Sequence, residues 1–435
     1  MKTQPSLACK LALLLCCLQA PTLATPQTAD PATIDADLAN FSLDQLQGEL
    51  EKTPSGTDRD YLAGVLANRL GKIDRSIELL HRALPNLKKN HDPHASEALN
   101  TLADDYTKVG NYASAAKAYD ELFALFPNAN KGGTRDDAGV LHLLASVKPM
   151  TTTWHGPTRL KTSRNAIGSL VIELIVNGVT REWLLDTGAN YSVVSRTFAE
   201  KLHAKILPGH AQTGSGLTGL ENPLQIAVLP TLRVGGATVK NVVLLVLDDA
   251  NLKINLGDRR YQIDAILGYP VFQAMKVMTF THDGYFEAGE SARRIEQGVP
   301  LYMRRLTPVV NLKANGVLLP FTLDTGASTT DLSVRYYERF KSADLSWKSN
   351  EYEVGGAGGN IKRQIFTQPV LRLEVGDKTT ILKNVSITPQ KTNSGLDELY
   401  GNIGQDLFRY FQSVTLDFAN MTFKVGDPVP QPPPQ

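Results

Sequence analysis

The spacing of apolar residues divides the chain into a helical part followed by a β part. Apolar positions recur at helical spacing over residues 58–130, and they alternate with polar positions over residues 165–426, where turn signals are frequent. Residues 25–57, rich in Ala, Thr, Pro and Asp, predict a loose leader with one short amphipathic helix. The polar residues 131–164 predict a linker, and the Pro-rich residues 427–435 predict an extended tail.

Two similar units follow each other within the helical part. Residues 61–87 and 98–127 share a pattern of small and apolar positions in which Gly71 corresponds to Gly110, 39 residues further on. This pattern resembles the tetratricopeptide repeat, in which two antiparallel helices cross at a small residue. The resemblance implies a surface for a protein partner. A plain helical hairpin that serves as a cap is an equally good interpretation.

The first 24 residues have the features of a secretory signal. Lys2 and Lys10 supply the positive charge, residues 11–20 form an apolar run, and residues 22–24 offer small side chains for cleavage. The apolar run is shorter than the roughly 20 residues that a transmembrane helix needs. We therefore expect a periplasmic or secreted protein without a membrane span.

Composition excludes several classes of site. All three cysteines, Cys9, Cys16 and Cys17, lie in the predicted signal, so the mature protein is expected to lack disulfides, thiolate metal sites and a cysteine nucleophile. The chain has 45 basic and 44 acidic residues without a basic stripe, and we expect no nucleic-acid partner. The eight histidines form no His-Glu-x-x-His motif, so we also expect no metal and no cofactor.

The β part contains an internal duplication. Residues 170–178 return as residues 308–316, shifted by 138, and the apolar segment ending in Asp-Thr-Gly-Ala at residues 183–189 returns at 321–327 with the same shift. Each copy continues with a glycine-rich turn and then with an apolar segment ending in glycine. These segments are the turns at residues 214–219 and 355–359, and the strands at residues 265–268 and 401–404, the last two related by a shift of 136.

The duplicated motif predicts a pair of carboxylates. An apolar strand that runs into Asp-Thr-Gly is buried and ends in a tight turn, which leaves Asp186 and Asp324 at its rim. Glycine allows the other copy to approach closely, and the threonine hydroxyl can form a hydrogen bond to the opposite loop. The residues expected in these supporting roles are Thr187, Gly188, Thr325 and Gly326. Two such loops at a pseudo-twofold axis predict two carboxyl groups that share one proton.

Residues 165–426 resemble the retropepsin–pepsin group of aspartic proteases in these motifs. The resemblance implies an all-β bilobal fold of two retropepsin-like β-barrel lobes, at residues 165–295 and 296–426, preceded by the helical segment. The alanine that follows each Asp-Thr-Gly resembles the motif of retropepsins and their bacterial secreted relatives more than that of pepsins. In contrast to retropepsins, which are usually homodimers of one lobe, this chain carries both lobes, and neither glycine turn has the flap tyrosine of pepsins.

The resemblance implies catalysis by Asp186 and Asp324 and flaps formed by the two glycine turns. The flap residues are expected to be Gly214, Ser215, Gly216, Gly219, Gly355, Gly356, Gly358 and Gly359. We therefore expect an aspartic endopeptidase that hydrolyses peptides or proteins in the periplasm without a cofactor. Two alternatives stay open: a non-catalytic peptide-binding scaffold with a helical segment that recruits a partner, and a protease that processes one dedicated partner.

Overall fold

A computed structural model describes residues 31–129, 133–214, 221–256, 259–289, 298–342, 347–356, 359–392 and 395–430. The predicted signal, residues 1–24, lies outside these residues, as do residues 431–435 of the predicted tail. The helices are α1 Pro31–Asn40, α2 Leu43–Lys52, α3 Thr57–Arg69, α4 Ile73–Lys89, α5 His94–Lys108, α6 Tyr112–Leu125, α7 Thr134–Leu144, α8 Arg196–Lys201, α9 Tyr269–Met275 and α10 Val334–Phe340.

The strands follow α7 and continue to the end of the described chain. Those up to residue 288 are β1 Thr151–Trp154, β2 Thr158–Arg164, β3 Leu170–Val176, β4 Val179–Leu185, β5 Ser192–Ser195, β6 Lys205–Ile206, β7 Ala211–Gly214, β8 Glu221–Val234, β9 Ala237–Leu247, β10 Lys253–Leu256, β11 Arg259–Gln262, β12 Ala265–Leu267, β13 Val277–Thr281 and β14 Tyr285–Ala288. The others are β15 Val299–Arg304, β16 Thr307–Ala314, β17 Val317–Leu323, β18 Asp331–Leu332, β19 Lys348–Gly356, β20 Gly359–Val375, β21 Lys378–Ile387, β22 Gly401–Ile403, β23 Ser413–Asp417 and β24 Thr422–Val425. The predicted order, a helical region before a β-rich region, is confirmed.

The two glycines aligned in the sequence end corresponding helices. Gly71 follows α3 with φ of +69°, and Gly110 follows α5 with φ of +73°, conformations that glycine adopts without strain. Each therefore ends the first helix of a pair and starts the turn to the second. No helix among residues 31–129 and the later described segments is long and apolar enough to cross a membrane.

Two segments contain more regular structure than the sequence predicts, which is one short helix in the leader and none in the linker. The predicted leader includes α1 and α2, and the predicted linker includes α7, β1 and β2. Leu43 and Leu46 of α2 are buried in a cluster with Val309 of β16. Such short helices have too few apolar positions to show a clear period, and they are stabilised by tertiary packing. The first residues of the predicted tail are attached to the β region, because Pro428 forms an isolated β-bridge with Phe411.

The strands around the two Asp-Thr-Gly motifs pair in the same way. β3 and β4 form an antiparallel hairpin, β4 runs parallel to β12, and β12 pairs antiparallel with β5. In the second copy, β16, β17, β22 and β18 repeat these pairings. A third set of strands joins the two copies, and in it β13 pairs antiparallel with β23.

The helices pack directly on the first copy of the duplicated unit. Val171, Leu184 and Ile266 share one buried cluster with apolar residues of α3 to α7, which include Leu141 and Leu144. The other face of the same strands buries Trp183 and Leu185 in the core between the strands. The helical region therefore covers one face of the β region and is part of its core.

This shared core predicts that the helices and the strands unfold together. Leu144→Ala should lower the free energy of unfolding by about 2–5 kcal/mol, because it leaves a cavity beside the strands. Far-ultraviolet circular dichroism would follow the helices in urea, and the fluorescence of Trp154, Trp183 and Trp347 would follow the strands. The two transitions should coincide and shift together. Leu125→Ala, at a surface site, is the control. A fluorescence midpoint that Leu144→Ala leaves in place would contradict the prediction.

Candidate active site

Asp186 and Asp324 each follow directly on a buried strand. Asp186 comes after β4 and donates its backbone N–H to the carbonyl of Leu267 at 3.0 Å, and Asp324 comes after β17 and donates to Ile403 at 3.0 Å. The acceptors belong to β12 and β22, the parallel neighbours of these strands. Parallel pairing therefore fixes the backbone of both aspartates at the same point of the two copies.

Backbone N–H groups of each loop bind the carboxyl group of the same loop. Gly188 and Ala189 donate to Asp186 Oδ1 at 2.8 and 2.9 Å. The N–H groups two and three residues after Asp324 donate to its Oδ1 at 2.7 and 3.1 Å. N–H donors stabilise the charged form of a carboxyl group, so each loop is built to hold a carboxylate.

Two buried threonines join the loops by reciprocal hydrogen bonds. The Thr187 hydroxyl donates to the carbonyl of Leu323 at 2.8 Å and accepts the N–H of Thr325 at 3.1 Å. The Thr325 hydroxyl donates to the carbonyl of Leu185 at 2.9 Å and accepts the N–H of Thr187 at 3.0 Å. Each side chain thus satisfies the backbone groups that flank the other aspartate.

The glycine after each threonine makes room for the opposite carboxyl group. A Cβ atom on Gly188 would lie 2.7 Å from Asp324 Cγ, and one on Gly326 would lie 2.4 Å from Asp186 Cγ. Both distances are far below van der Waals contact, so a side chain at either position would displace an aspartate. Each carboxyl group therefore lies directly against the other loop.

This environment favours the protonated form of one carboxyl group. Desolvation raises the pKa of Asp186 well above its ordinary value, and the charge of Asp324 and a hydrogen bond with Asp324 raise it further. The N–H groups of Ala189 and Gly188 oppose this shift only in part. Asp186 therefore holds a proton at a pH at which an exposed aspartate is ionised.

The predicted flap residues lie at the ends of two hairpins. β7 pairs with β8 up to the partners Gly214 and Glu221, and β19 pairs with β20 up to Gly356 and Gly359. Gly355 pairs with Asn360 one step further from the tip. The other predicted flap residues lie outside the described residues: Ser215, Gly216, Gly219 and Gly358.

Sequence reasoning missed several polar residues around the second copy. Asn402 donates through Nδ2 to Asp324 Oδ2 at 3.0 Å, and Thr322 donates to Asn402 Oδ1 at 2.6 Å. Gln405 donates to the carbonyl of Thr325, and Ser169 donates to the carbonyl of Gly326 at 3.0 Å. A signal was present in the duplication, because Asn402 and Thr322 stand where the first copy has apolar residues.

A family model described as aspartyl protease matches residues 172–271 of this chain. The matched segment includes Asp186 and both strands that fix its backbone, β4 and β12. A comparison with curated proteins found no match. The family match supports an aspartyl protease family and suggests a peptidase that acts on peptides, and the β-rich region fits such a domain.

The reciprocal threonine bonds predict a stability effect that depends on the hydroxyl group. Thr187→Val leaves the buried N–H of Thr325 without its acceptor, and we expect a loss of about 1–3 kcal/mol in the free energy of unfolding. Thr187→Ser keeps the hydroxyl and is the matched control. Because the two side chains form one network, the double variant Thr187→Val/Thr325→Val should lose less than the sum of the single losses. Additive losses in urea titrations would show that the two threonines act independently.

Proposed function

We propose that the protein is an aspartic endopeptidase whose catalytic pair is Asp186 and Asp324. The observation that carries the proposal is the reciprocal bonding of Thr187 and Thr325, which places two carboxyl groups side by side. A turn with a purely structural role would need neither the reciprocal hydrogen bonds of the two threonines nor a glycine at both Gly188 and Gly326. The raised pKa of Asp186 supports a pair that shares one proton.

Such a pair can act as base and acid on the same peptide bond. The ionised carboxylate takes a proton from a water molecule held between the two groups, and the water oxygen attacks the scissile carbonyl carbon. The protonated carboxyl group donates its proton to the carbonyl oxygen. The group that took the proton from water then passes it to the amide nitrogen, and the C–N bond breaks. As the new carbonyl forms, a hydroxyl group of the intermediate returns its proton to the other carboxylate, which restores the pair. The water supplies all the atoms that are added, so the reaction needs no metal or cofactor.

We further propose two lobes, each contributing one aspartate, with the two glycine hairpins folding over an extended peptide. The repeated pairing of β4 with β12 and of β17 with β22 supports this arrangement. Closure of the hairpins would exclude bulk water from the carboxyl pair. The two ends of the hairpins, near Gly214 and Gly356, are then the substrate-binding flaps.

The helical region is proposed to present tetratricopeptide-like repeats to a protein partner, and the protein is proposed to act in the periplasm or outside the cell. The matching helix ends at Gly71 and Gly110 support the repeat. The features of a secretory signal in residues 1–24 support the location.

Removal of either carboxyl group tests the proposal. Asp186→Asn and Asp324→Asn should each lower kcat/KM by at least about 100-fold, because one lacks the acid and the other lacks the base. Purified protein would be incubated with a complex peptide mixture, and mass spectrometry would count the new termini. Circular dichroism should remain that of the wild type.

A matched control is available in the same strand environment. Asp264→Asn changes a partly exposed carboxylate that contacts Arg181 and Ser195, and it should leave cleavage in place. Near-normal cleavage by a folded Asp186→Asn variant would contradict the assignment. Peptide binding without cleavage by the wild type would favour the non-catalytic scaffold.

The pH profile should follow from the titration of the pair. Below its lower apparent pKa both groups are protonated and no base remains, and above the upper one both are ionised and no acid remains. Because the pKa of Asp186 is raised, the alkaline limb of the profile should lie at a higher pH than an ordinary aspartate would give. We therefore expect maximal kcat/KM in mildly acidic to near-neutral solution.

The residues after each Asp-Thr-Gly provide the variants for this profile. Ala189→Ser and Ala327→Ser add hydroxyls that can donate to the charged form of the pair, so the two substitutions should move the acidic limb to lower pH. A maximum in strongly acidic solution, or limbs that neither serine moves, would contradict this prediction.

A further inference from the structure

The two copies differ in chemistry at one point directly beneath the aspartates. In the first copy Ile266 pairs with Leu184 on one side and with Val193 on the other. In the second copy Asn402 occupies the same place in the ladder and pairs with Thr322 and Asp331. Three apolar residues in one half therefore correspond to three polar residues in the other.

The helices account for the apolar set. Leu184, Val193 and Ile266 lie in the core that the first copy shares with the helices. A polar side chain there would be buried among apolar neighbours and would lose its hydrogen bonds to water. In the second copy Asn402 is 2 % exposed and Thr322 is 1 % exposed, so two polar side chains are buried at the same place. Their bonds to each other and to Asp324 offset this burial.

The hydrogen bonds fix which way the amide of Asn402 points. The oxygen of the Asn402 amide already accepts a hydrogen bond from Thr322, so the group that faces Asp324 Oδ2 is the NH2 group, a donor. The Thr322 hydroxyl donates to the other end of the amide, at Oδ1. Both contacts therefore favour the same orientation of Asn402.

This contact gives the two aspartates unequal environments. Asp324 accepts two backbone N–H groups at Oδ1 and the Asn402 amide at Oδ2, so both of its oxygens face donors. Asp186 accepts two backbone N–H groups at Oδ1, and no described residue supplies it with a matching amide at Oδ2. A proton shared by the pair is therefore better placed on Asp186.

We propose that Asn402, oriented by Thr322, is a positioning residue that keeps Asp324 ionised, so that Asp324 acts as the base and Asp186 as the acid. The proposal rests on the proposed function for the direction of proton transfer. The placement of the proton itself is a property of the folded chain and can be measured without a substrate.

Asp331 completes the polar set and supports this assignment. Desolvation, followed by the charges of Asp324 and Asp406, raises the pKa of Asp331 to about 7, and a hydrogen bond from Asn402 and the charge of Arg363 oppose the rise. In mildly acidic solution Asp331 is therefore mostly neutral. It then adds no negative charge that would compete with the ionisation of Asp324.

The first measurement follows the protonation of single carboxyl groups by 13C NMR of aspartate-labelled full-length protein. In Asp186→Asn only Asp324 of the pair titrates, and in Asp324→Asn only Asp186 does. We expect the Asp324 midpoint to lie at lower pH. Adding Asn402→Leu to Asp186→Asn should raise that midpoint by about 1 pH unit, the size expected for one hydrogen bond to a charged group. Adding it to Asp324→Asn should leave the midpoint of Asp186 within about 0.3 units.

The second measurement is the pH profile of kcat/KM in the otherwise unchanged chain. Asn402→Leu should move the acidic limb to higher pH, because the base now needs a higher pH to ionise. Thr322→Val should move the acidic limb in the same direction by a smaller amount. Thr322→Ser keeps the hydroxyl and should leave the limb at its wild-type position. Gln368→Leu, which removes a buried amide bonded to the carbonyl of Val370, is the control for the loss of a buried amide and should leave the limb in place.

The outcomes separate this proposal from the proposed function. Equal or reversed midpoints in the two aspartate variants would overturn the assignment of the proton, even if the wild type cleaves peptides. The expected midpoints in a protein that cleaves nothing would support the positioning role and contradict the proposed function. If Asn402→Leu does not fold, the Thr322→Val and Thr322→Ser pair gives the same decision, because a limb that neither variant moves would overturn the role of the network.

Discussion

The site depends on the reciprocal hydrogen bonds that Thr187 and Thr325 form between the two loops. Each hydroxyl, buried between the two loops, donates to the backbone carbonyl that precedes the opposite aspartate and accepts the N–H that follows it. Four bonds thus fix the distance between two carboxyl groups that would otherwise separate. Two negative charges held this close away from water repel each other strongly, so the geometry itself requires a proton. Desolvation first, and then the charge of Asp324, raise the pKa of Asp186 accordingly.

Close approach and charge control are separate requirements, and different residues meet them. Gly188 and Gly326 allow the approach, because any side chain there would occupy the place of the opposite carboxyl group. The backbone N–H groups of each loop stabilise a carboxylate equally in both copies, so they cannot decide which group is ionised. That choice needs a difference between the copies, and Asn402 supplies one.

The helical region explains where such a difference can arise. Leu184, Val193 and Ile266, from β4, β5 and β12, lie in one apolar cluster with residues of the helices, so the residues beside the first aspartate pack as part of a shared core. The same strands of the second copy carry Thr322, Asp331 and Asn402, which form hydrogen bonds to one another or to Asp324. A duplicated unit thereby has one copy adapted to packing and the other adapted to the control of charge.

Sequence alone determined the elements that are local and repeated. Asp186 and Asp324, their glycines and their threonines could be found because each motif follows an apolar strand and the copies keep a constant shift. The order of a helical part and a β part followed from the two periods. Only the tertiary structure placed α7 on the β region, because its few buried residues are recognisable only beside the strands they contact. Likewise, Thr322, Asp331 and Asn402 lie far apart in the chain and meet only because β22 lies between β17 and β18. A spacing pattern identifies residues that share one strand or one helix, whereas hydrogen bonds between strands decide which distant side chains share one carboxylate.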